Sequence, residues 1–154
     1  MKKEFLLEKT YETSVSIEII KEDEKYIAKV KRNFDDLWTE NDEYECWIED
    51  DGELMTEPVS TEKEWDAIIE TFCSYIEGNG TKYARQCTCC GKGMNEGYFA
   101  EYEYFCSDSC LHTEFAPTIW ESVVQEDSDT HYWTEWECEE DYQYVLFNNQ
   151  LIEL

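Results

Sequence analysis

Two pairs of cysteines constrain this chain more than any other feature. Cys87 and Cys90 stand in C-x-x-C spacing and are followed by Gly91; Cys106 and Cys110 lie four residues apart. In a tight knuckle the first spacing aims two thiolates at one point, and Gly91 allows the backbone its turn. A helix starting near Cys106 puts the second pair on one face, and its N-terminal end favours thiolate charge. The run between them, Tyr98–Phe105, has hairpin character. Together the four supply the sulfurs of a tetrahedral Zn²⁺. Four thiolates close such a site, so the expected role of the metal is structural: it pins a hairpin to a helix. Buried free thiols are the competing explanation, but two paired spacings and a glycine weigh against it. Cys89, inside the knuckle, is expected to point away. His112, two residues beyond Cys110, is an alternative to it as ligand.

Knuckle, hairpin and helix, carried by Cys87, Cys90, Gly91, Tyr104, Phe105, Cys106, Ser107 and Cys110, resemble the treble-clef zinc fingers of the FCS and TRASH type. The resemblance covers about 30 of the 154 residues. It implies zinc, and a role in protein contacts, nucleic-acid contacts or structure alone. Gly91–Gly97 and Tyr132–Glu137 are also similar to stretches of small bacterial and phage proteins. Direct reading of DNA or RNA is disfavoured, because helices that do this carry Lys or Arg and Ser107–Phe115 has neither.

Charge is distributed unevenly. The formal net charge is −26, yet the first 32 residues hold eight bases and seven acids. Residues 33–62 hold twelve acids and residues 93–154 fifteen, with no Lys or Arg in either stretch. Such a chain repels nucleic acid and membrane surfaces and attracts basic protein surfaces. Aromatic residues at 16% and apolar residues at 42% argue for a folded globule rather than disorder. The apolar runs are only a few residues long and the N-terminal MKKEFLLEK turns charged at once. No membrane span or signal peptide is therefore expected. The expected compartment is a reducing cytoplasm, where eight cysteines serve as metal ligands and buried thiols.

The length fits one domain, 1–154, with the cysteine module embedded at 84–117. Residues 3–9, 13–21 and 25–31 read as strands of a hairpin or meander, with Val15, Ile17 and Ile19 on one face. Tyr44–Glu49 reads as a strand turning at Asp50-Asp51-Gly52 into Glu53–Thr56. Thr61-x-x-Glu64 has the form of a capping box. It opens a helix with apolar Trp65, Ile68, Ile69, Phe72 and Ile76, expected to stop at Gly78-Asn79-Gly80. Pro117 starts a short helix around Thr118–Val124. Residues 130–138 and 141–147 read as strands, with a turn at Asn148-Asn149 into Gln150–Glu153. The fold class is α+β: an antiparallel sheet, two or three helices and an embedded treble-clef module.

Other chemistry is faint. Neither His112 nor His131 sits in a triad-like context. Cys46 and Cys73 fall in strand and helix patterns that suggest core, and Cys138 has no ligand spacing. Asp50-Asp51-Gly52-Glu53 and Asp127-Ser128-Asp129 lack calcium-loop spacing and read as solvated turns. No phosphate loop, dinucleotide fingerprint or nucleophile elbow is present. No catalytic residue is assigned, and a non-enzymatic protein is expected. Tyr132, Trp133 and Trp136 lie among Glu135, Glu137, Glu139, Glu140 and Asp141, which suits capture of an Arg-rich surface. The bland account makes them a core edge under an acidic face. The leading expectation is an acidic interaction protein that blocks a basic protein surface. In its narrower form that surface belongs to a nucleic-acid-binding defence protein, because phage inhibitors of restriction or CRISPR systems resemble this small, acidic type. The alternative is a zinc-stapled adaptor whose acidity serves only solubility.

Overall fold

The computed structural model describes residues 1–8, 13–34, 37–39, 42–136 and 142–154. It is α+β, and its backbone contacts gather into two compact units, Met1–Asn79 and Gly80–Leu154. The stretch 84–117 lies within the second. Among the described residues, no helix is long and apolar enough to cross a membrane.

The first unit is an antiparallel sheet carrying one helix. Strands β1 (Lys2–Glu8), β2 (Thr13–Glu22), β3 (Lys25–Phe34), β5 (Asp42–Ile48) and β6 (Leu54–Thr56) pair in the order β1-β2-β3-β5-β6. The two-residue β4 (Leu37–Trp38) adds to β3. Alternation decides the buried face: Val15, Ile17 and Ile19 of β2 and Tyr26, Ala28 and Val30 of β3 are buried. Helix α1 (Glu62–Asn79) packs against β1, β2 and β6 and buries Ala67, Ile68, Phe72 and Ile76. The Phe72 and Tyr26 rings meet at 5.3 Å.

The buried stripe of α1 is rotated from the expected one. Glu64 and Thr71 occupy it, while Trp65 and Ile69 are only half-buried. Thr71 satisfies its hydroxyl on the Ala67 carbonyl at 2.7 Å. Half of the capping box forms, with the Glu64 N–H donating to Thr61 Oγ1 at 3.2 Å. The Glu64 carboxylate turns instead to Arg32, accepting from Nε at 3.1 Å and from Nη2. Arg32 also reaches Asp42 and the Tyr44 hydroxyl. An ion pair outcompetes a backbone cap because a buried carboxylate needs a full counter-charge.

The segregation of charge along the sequence is partly undone in space. Lys29 stands opposite Glu43 in the β3–β5 register and reaches it at 3.5 Å, and Glu22 at 3.1 Å. Lys25 bonds Glu45 at 2.6 Å, and Lys3 bonds Glu70 at 3.0 Å. The bases of the first 32 residues thus neutralise carboxylates of β5 and α1. Residues 80–154 have no such reserve, with Lys82, Arg85 and Lys92 set against fifteen acids.

The second unit contains short β ladders and two helices. Strands β10 (Glu96–Ala100), β11 (Glu103–Phe105) and β12 (His131–Glu135) form a sheet in the order β11-β10-β12. Strands β13 (Tyr144–Phe147) and β14 (Gln150–Glu153) make the expected hairpin at Asn148-Asn149, and β7 (Thr81–Tyr83) joins β13. Strands β8 (Arg85–Gln86) and β9 (Gly93–Met94) form a two-stranded ladder. Helices α2 (Asp108–Glu114) and α3 (Pro117–Glu126) follow β11. The strand expected over 130–138 ends at Glu135, and 137–138 fall outside the described residues.

Candidate metal centre

The β8–β9 connection builds the knuckle. The Cys87 N–H donates to the Lys92 carbonyl at 2.8 Å and the Gly91 N–H to the Cys87 carbonyl at 2.8 Å. Gly91 sits at φ 71°, a left-handed conformation that disfavours a Cβ. The hairpin β10–β11 delivers Cys106, whose N–H points at Cys87 Sγ at 3.4 Å. Ser107 caps α2: its hydroxyl accepts the Cys110 N–H at 3.3 Å, which orients the helix carrying Cys110. Thr88 ties knuckle to hairpin, its N–H donating to the Tyr104 carbonyl at 2.8 Å.

The sulfurs of Cys87, Cys90, Cys106 and Cys110 all lie within 4.8 Å of one another. Cys90 and Cys106 are 3.6 Å apart and Cys106 and Cys110 3.7 Å. A disulfide requires about 2.05 Å, so these are free thiols. Four sulfurs about 2.3 Å from a central ion stand about 3.8 Å apart, and the observed spacings fit that tetrahedron. Burial pushes the Cys87 thiol up, but backbone N–H groups of Cys90, Cys106 and Cys89 outweigh it and bring it to about 7. At Cys110 the Ser107 hydroxyl favours the thiolate, but burial and the crowded sulfurs win and push it up to about 12. A divalent cation among the four sulfurs would offset the negative charge that their deprotonation gathers.

The converging group contains the four expected cysteines and neither Cys89 nor His112. Cys89 is exposed, its sulfur taking a hydrogen bond from Thr113 Oγ1 at 3.5 Å. His112 Nδ1 lies 2.9 Å from the Phe115 carbonyl, and the imidazole is not among the converging groups.

Beneath the centre, Ala100, Phe105 and Leu111 form a buried cluster, with Tyr98, Phe115 and Trp120 packed on it. Gly97 is required here: a Cβ would stand 2.4 Å from the Phe105 carbonyl oxygen. His131 is buried in this unit, its ring 5.9 Å from those of both Phe115 and Trp120, which also meet each other at 6.0 Å. It is therefore a core histidine.

The expected aromatic anchor divides between two faces. Tyr132 stands opposite Phe99, which stands opposite Tyr104 on its other side. Their rings lie 5.2 and 5.6 Å from the Phe99 ring, and Trp136 extends the row at 5.4 Å from Tyr104. Trp133, 51% exposed, and Glu135 belong to the opposite face, with Glu135 directly across from Glu96. Glu137, Glu139, Glu140 and Asp141 lie outside the described residues. The sequence marks Tyr104 only as part of the knuckle-hairpin-helix resemblance and does not mark Phe99, since a row across strands is visible only once the register is known.

The hairpin tip next to this row is strained. Glu101 and Tyr102 link β10 to β11 at φ 50° and 70°, the positive pair of a type I′ turn. Such turns take Asn-Gly or Asp-Gly; among the described residues two other two-residue hairpins turn at Asn148-Asn149 and at Asp23-Glu24, the latter with Asp23 at φ 53°. A Glu-Tyr pair costs on the order of 1 kcal/mol per residue. The Glu101 N–H is held by the Thr130 carbonyl at 3.3 Å, and Tyr102, 82% exposed, meets Phe99 edge-on at 6.0 Å.

Elsewhere the carboxylate clusters serve the backbone. Asp127 accepts from Thr130 Oγ1 at 2.8 Å and from the Asp129 N–H at 3.3 Å, and Asp51 accepts from the Glu53 N–H at 3.1 Å. Cys46 is buried and its thiol pushed up to about 11 by desolvation, whereas Cys73, expected in the core, is only half-buried. In the first unit a cavity of about 470 Å³ is lined by Leu7, Ser60 and Lys63 together with Arg32 and Glu64, which are already bonded to each other.

Compared with known proteins, the chain matches no family model, no curated protein and no solved structure.

Proposed function

We propose that this chain is a non-enzymatic interaction protein, stapled by a structural zinc ion in a treble-clef-like module, that binds a basic protein surface. The observation that carries the reading is the four-sulfur cluster in a unit whose sequence sets fifteen acids against Lys82, Arg85 and Lys92. Cys87, Cys90, Cys106 and Cys110 supply a full tetrahedral set, and a full set leaves no position for substrate or water. When bound, the ion contributes cross-linking and charge neutralisation. The chain's own groups shape the site: Gly91 turns the knuckle, Ser107 orients Cys110, and Phe105 and Leu111 fill the space beneath.

Metal analysis of purified protein is expected to give one zinc per chain. Partner capture followed by titration in NaCl tests the acidic part: binding should weaken steeply as salt rises. Affinity that stays flat from low to high salt counts against it. The narrower form, in which a phage-type inhibitor occupies the nucleic-acid groove of a host defence protein, requires that nucleic acid compete for the captured partner.

The alternative, an adaptor whose acidity serves solubility, draws support from the aromatic row of Phe99, Tyr104 and Tyr132. Alanine at Trp133 or Trp136 compared with charge reversal across Glu135–Asp141 separates the two. Greater loss from charge reversal favours the acidic reading.

A further inference from the structure

We infer that the free edge of β1 is an interface through which two copies of this chain pair, strand against strand, about a two-fold axis at Phe5. This goes beyond the reading above and does not depend on it. The backbone of the edge, its charge and the hollow beside it each point to a second copy.

Backbone alternation shows which groups are free. The Ile19 N–H donates to the Met1 carbonyl at 2.9 Å, so Met1 and Ile19 form a bonded pair. Bonded and unbonded pairs alternate along an antiparallel ladder. Lys3 and Phe5 therefore bond to Ile17 and Val15, while the N–H and C=O groups of Lys2, Glu4 and Leu6 turn outward. Among the described residues β1 pairs with β2 alone, and it is the longest edge strand. Such an edge is a template for another strand. Its far end is closed, because a bulge breaks the register between Leu6 and Glu8 and Lys63 Nζ donates to the Leu7 carbonyl at 2.9 Å.

Charge selects the occupant. The surplus acid that makes two copies repel lies in residues 33–154. Residues 1–32, with eight bases and seven acids, are balanced, and β1 lies among them. Lys2 stands 3.6 Å from Glu4, and Lys3 is bonded to Glu70 at 3.0 Å. A basic partner gains nothing at a strand with two lysines, whereas a second copy can approach here without setting acid on acid.

Symmetry then fixes the register. A two-fold seam between identical strands sets one residue opposite itself. Centred on Glu4 it opposes two carboxylates, and centred on Leu6 it runs Glu4 into the bulge. Centred on Phe5 it sets Glu4 opposite Leu6 in both directions, and the outward groups of each such pair close two backbone hydrogen bonds. The same register fills a hollow. Phe5 faces α1, because Val15 opposite it is on the buried face. Opposed residues share a face, so Phe5 of the second copy meets a cavity of about 280 Å³ between β1 and α1, lined by Phe5, Leu7 and Ala67 with Lys63, Asp66 and Glu70.

The seam is short by the standard of stable interfaces, which bury about 1,600 Å², so association should be weak and reversible. Sedimentation equilibrium of the full-length chain, reduced and at physiological salt, should show a monomer–dimer equilibrium at high micromolar concentration. Amide exchange followed by NMR reads the register. The Glu4 and Leu6 N–H groups should gain about tenfold or more protection as the chain is concentrated, while those of Lys3 and Phe5 stay protected throughout. Glu4→Pro removes an outward N–H that β2 does not use. It should weaken dimerisation by about tenfold or more and leave the melt of the dilute chain unchanged. Leu6→Glu keeps the backbone intact, puts an acid opposite Glu4, and should also weaken the dimer. A chain that stays monomeric at every concentration overturns the inference, and so does a dimer that both variants leave intact. Glu4 and Leu6 amides protected equally at the lowest concentration overturn it as well, since another segment of the same chain then covers the edge.

Discussion

Removing either partner of the Arg32–Glu64 pair should destabilise the first unit, but unequally. The Glu64 side chain is 3% exposed, and Arg32 supplies its two charge-assisted bonds. Among the described residues, only the Ser60 hydroxyl, at 3.5 Å, is left to its carboxylate once Arg32 is gone. Arg32 is 19% exposed and retains Asp42 and Tyr44 when Glu64 is replaced. Arg32→Met thus strands a buried carboxylate and should cost about 3–5 kcal/mol. Glu64→Gln strands no charge, keeps the shape, and should cost about 1–3 kcal/mol. The double change Arg32→Met with Glu64→Leu should recover most of the larger loss, because two apolar groups of similar size leave nothing unsatisfied. Native-state amide exchange along α1 and β3 reads this unit directly. Arg32→Met should reduce protection there by about a hundredfold or more. Equal losses for the two single changes, or a double change worse than Arg32→Met alone, would refute the reasoning.

Serine at Cys87, Cys90, Cys106 or Cys110 should abolish stoichiometric metal and lower the unfolding temperature, whereas Cys89→Ser should do neither; metal analysis with thermal melts checks this. The buried Cys46 thiol, held up to about 11 against an ordinary 9.0 by desolvation, stabilises the fold fully below pH 9. That contribution, on the order of 2 kcal/mol, should vanish as pH climbs from 9 to 11. Comparing urea melts of the parent with Cys46→Ala isolates the effect, and parallel curves would count against it. Gly97→Ala should force the β10–β11 hairpin apart, given the 2.4 Å approach to the Phe105 carbonyl. Weakened zinc retention against a chelator is the measurement.

Strong local patterns made part of this molecule legible. Period-two alternation in β2 and helical spacing in α1 each reflect burial of one face against a large apolar partner, and both elements appear where expected. The four sulfurs were readable because metal geometry limits spacing tightly. Strands β4, β8 and β9 span two residues each and carry too little pattern to announce themselves. Nothing in the local sequence marks Arg32 as the partner of Glu64, which lies 32 positions away in α1. The Glu101-Tyr102 turn was hidden for the opposite reason: neither residue type signals positive φ, so Tyr98–Phe105 showed hairpin character without showing its corner.

Strand β12 arrives after both pairs of sulfur donors, yet it lies alongside β10, between them. Anyone wishing to graft the four-cysteine element onto another scaffold would therefore have to carry His131–Glu135 with it. A cassette cut at residue 117 would leave β10 with one flank bare.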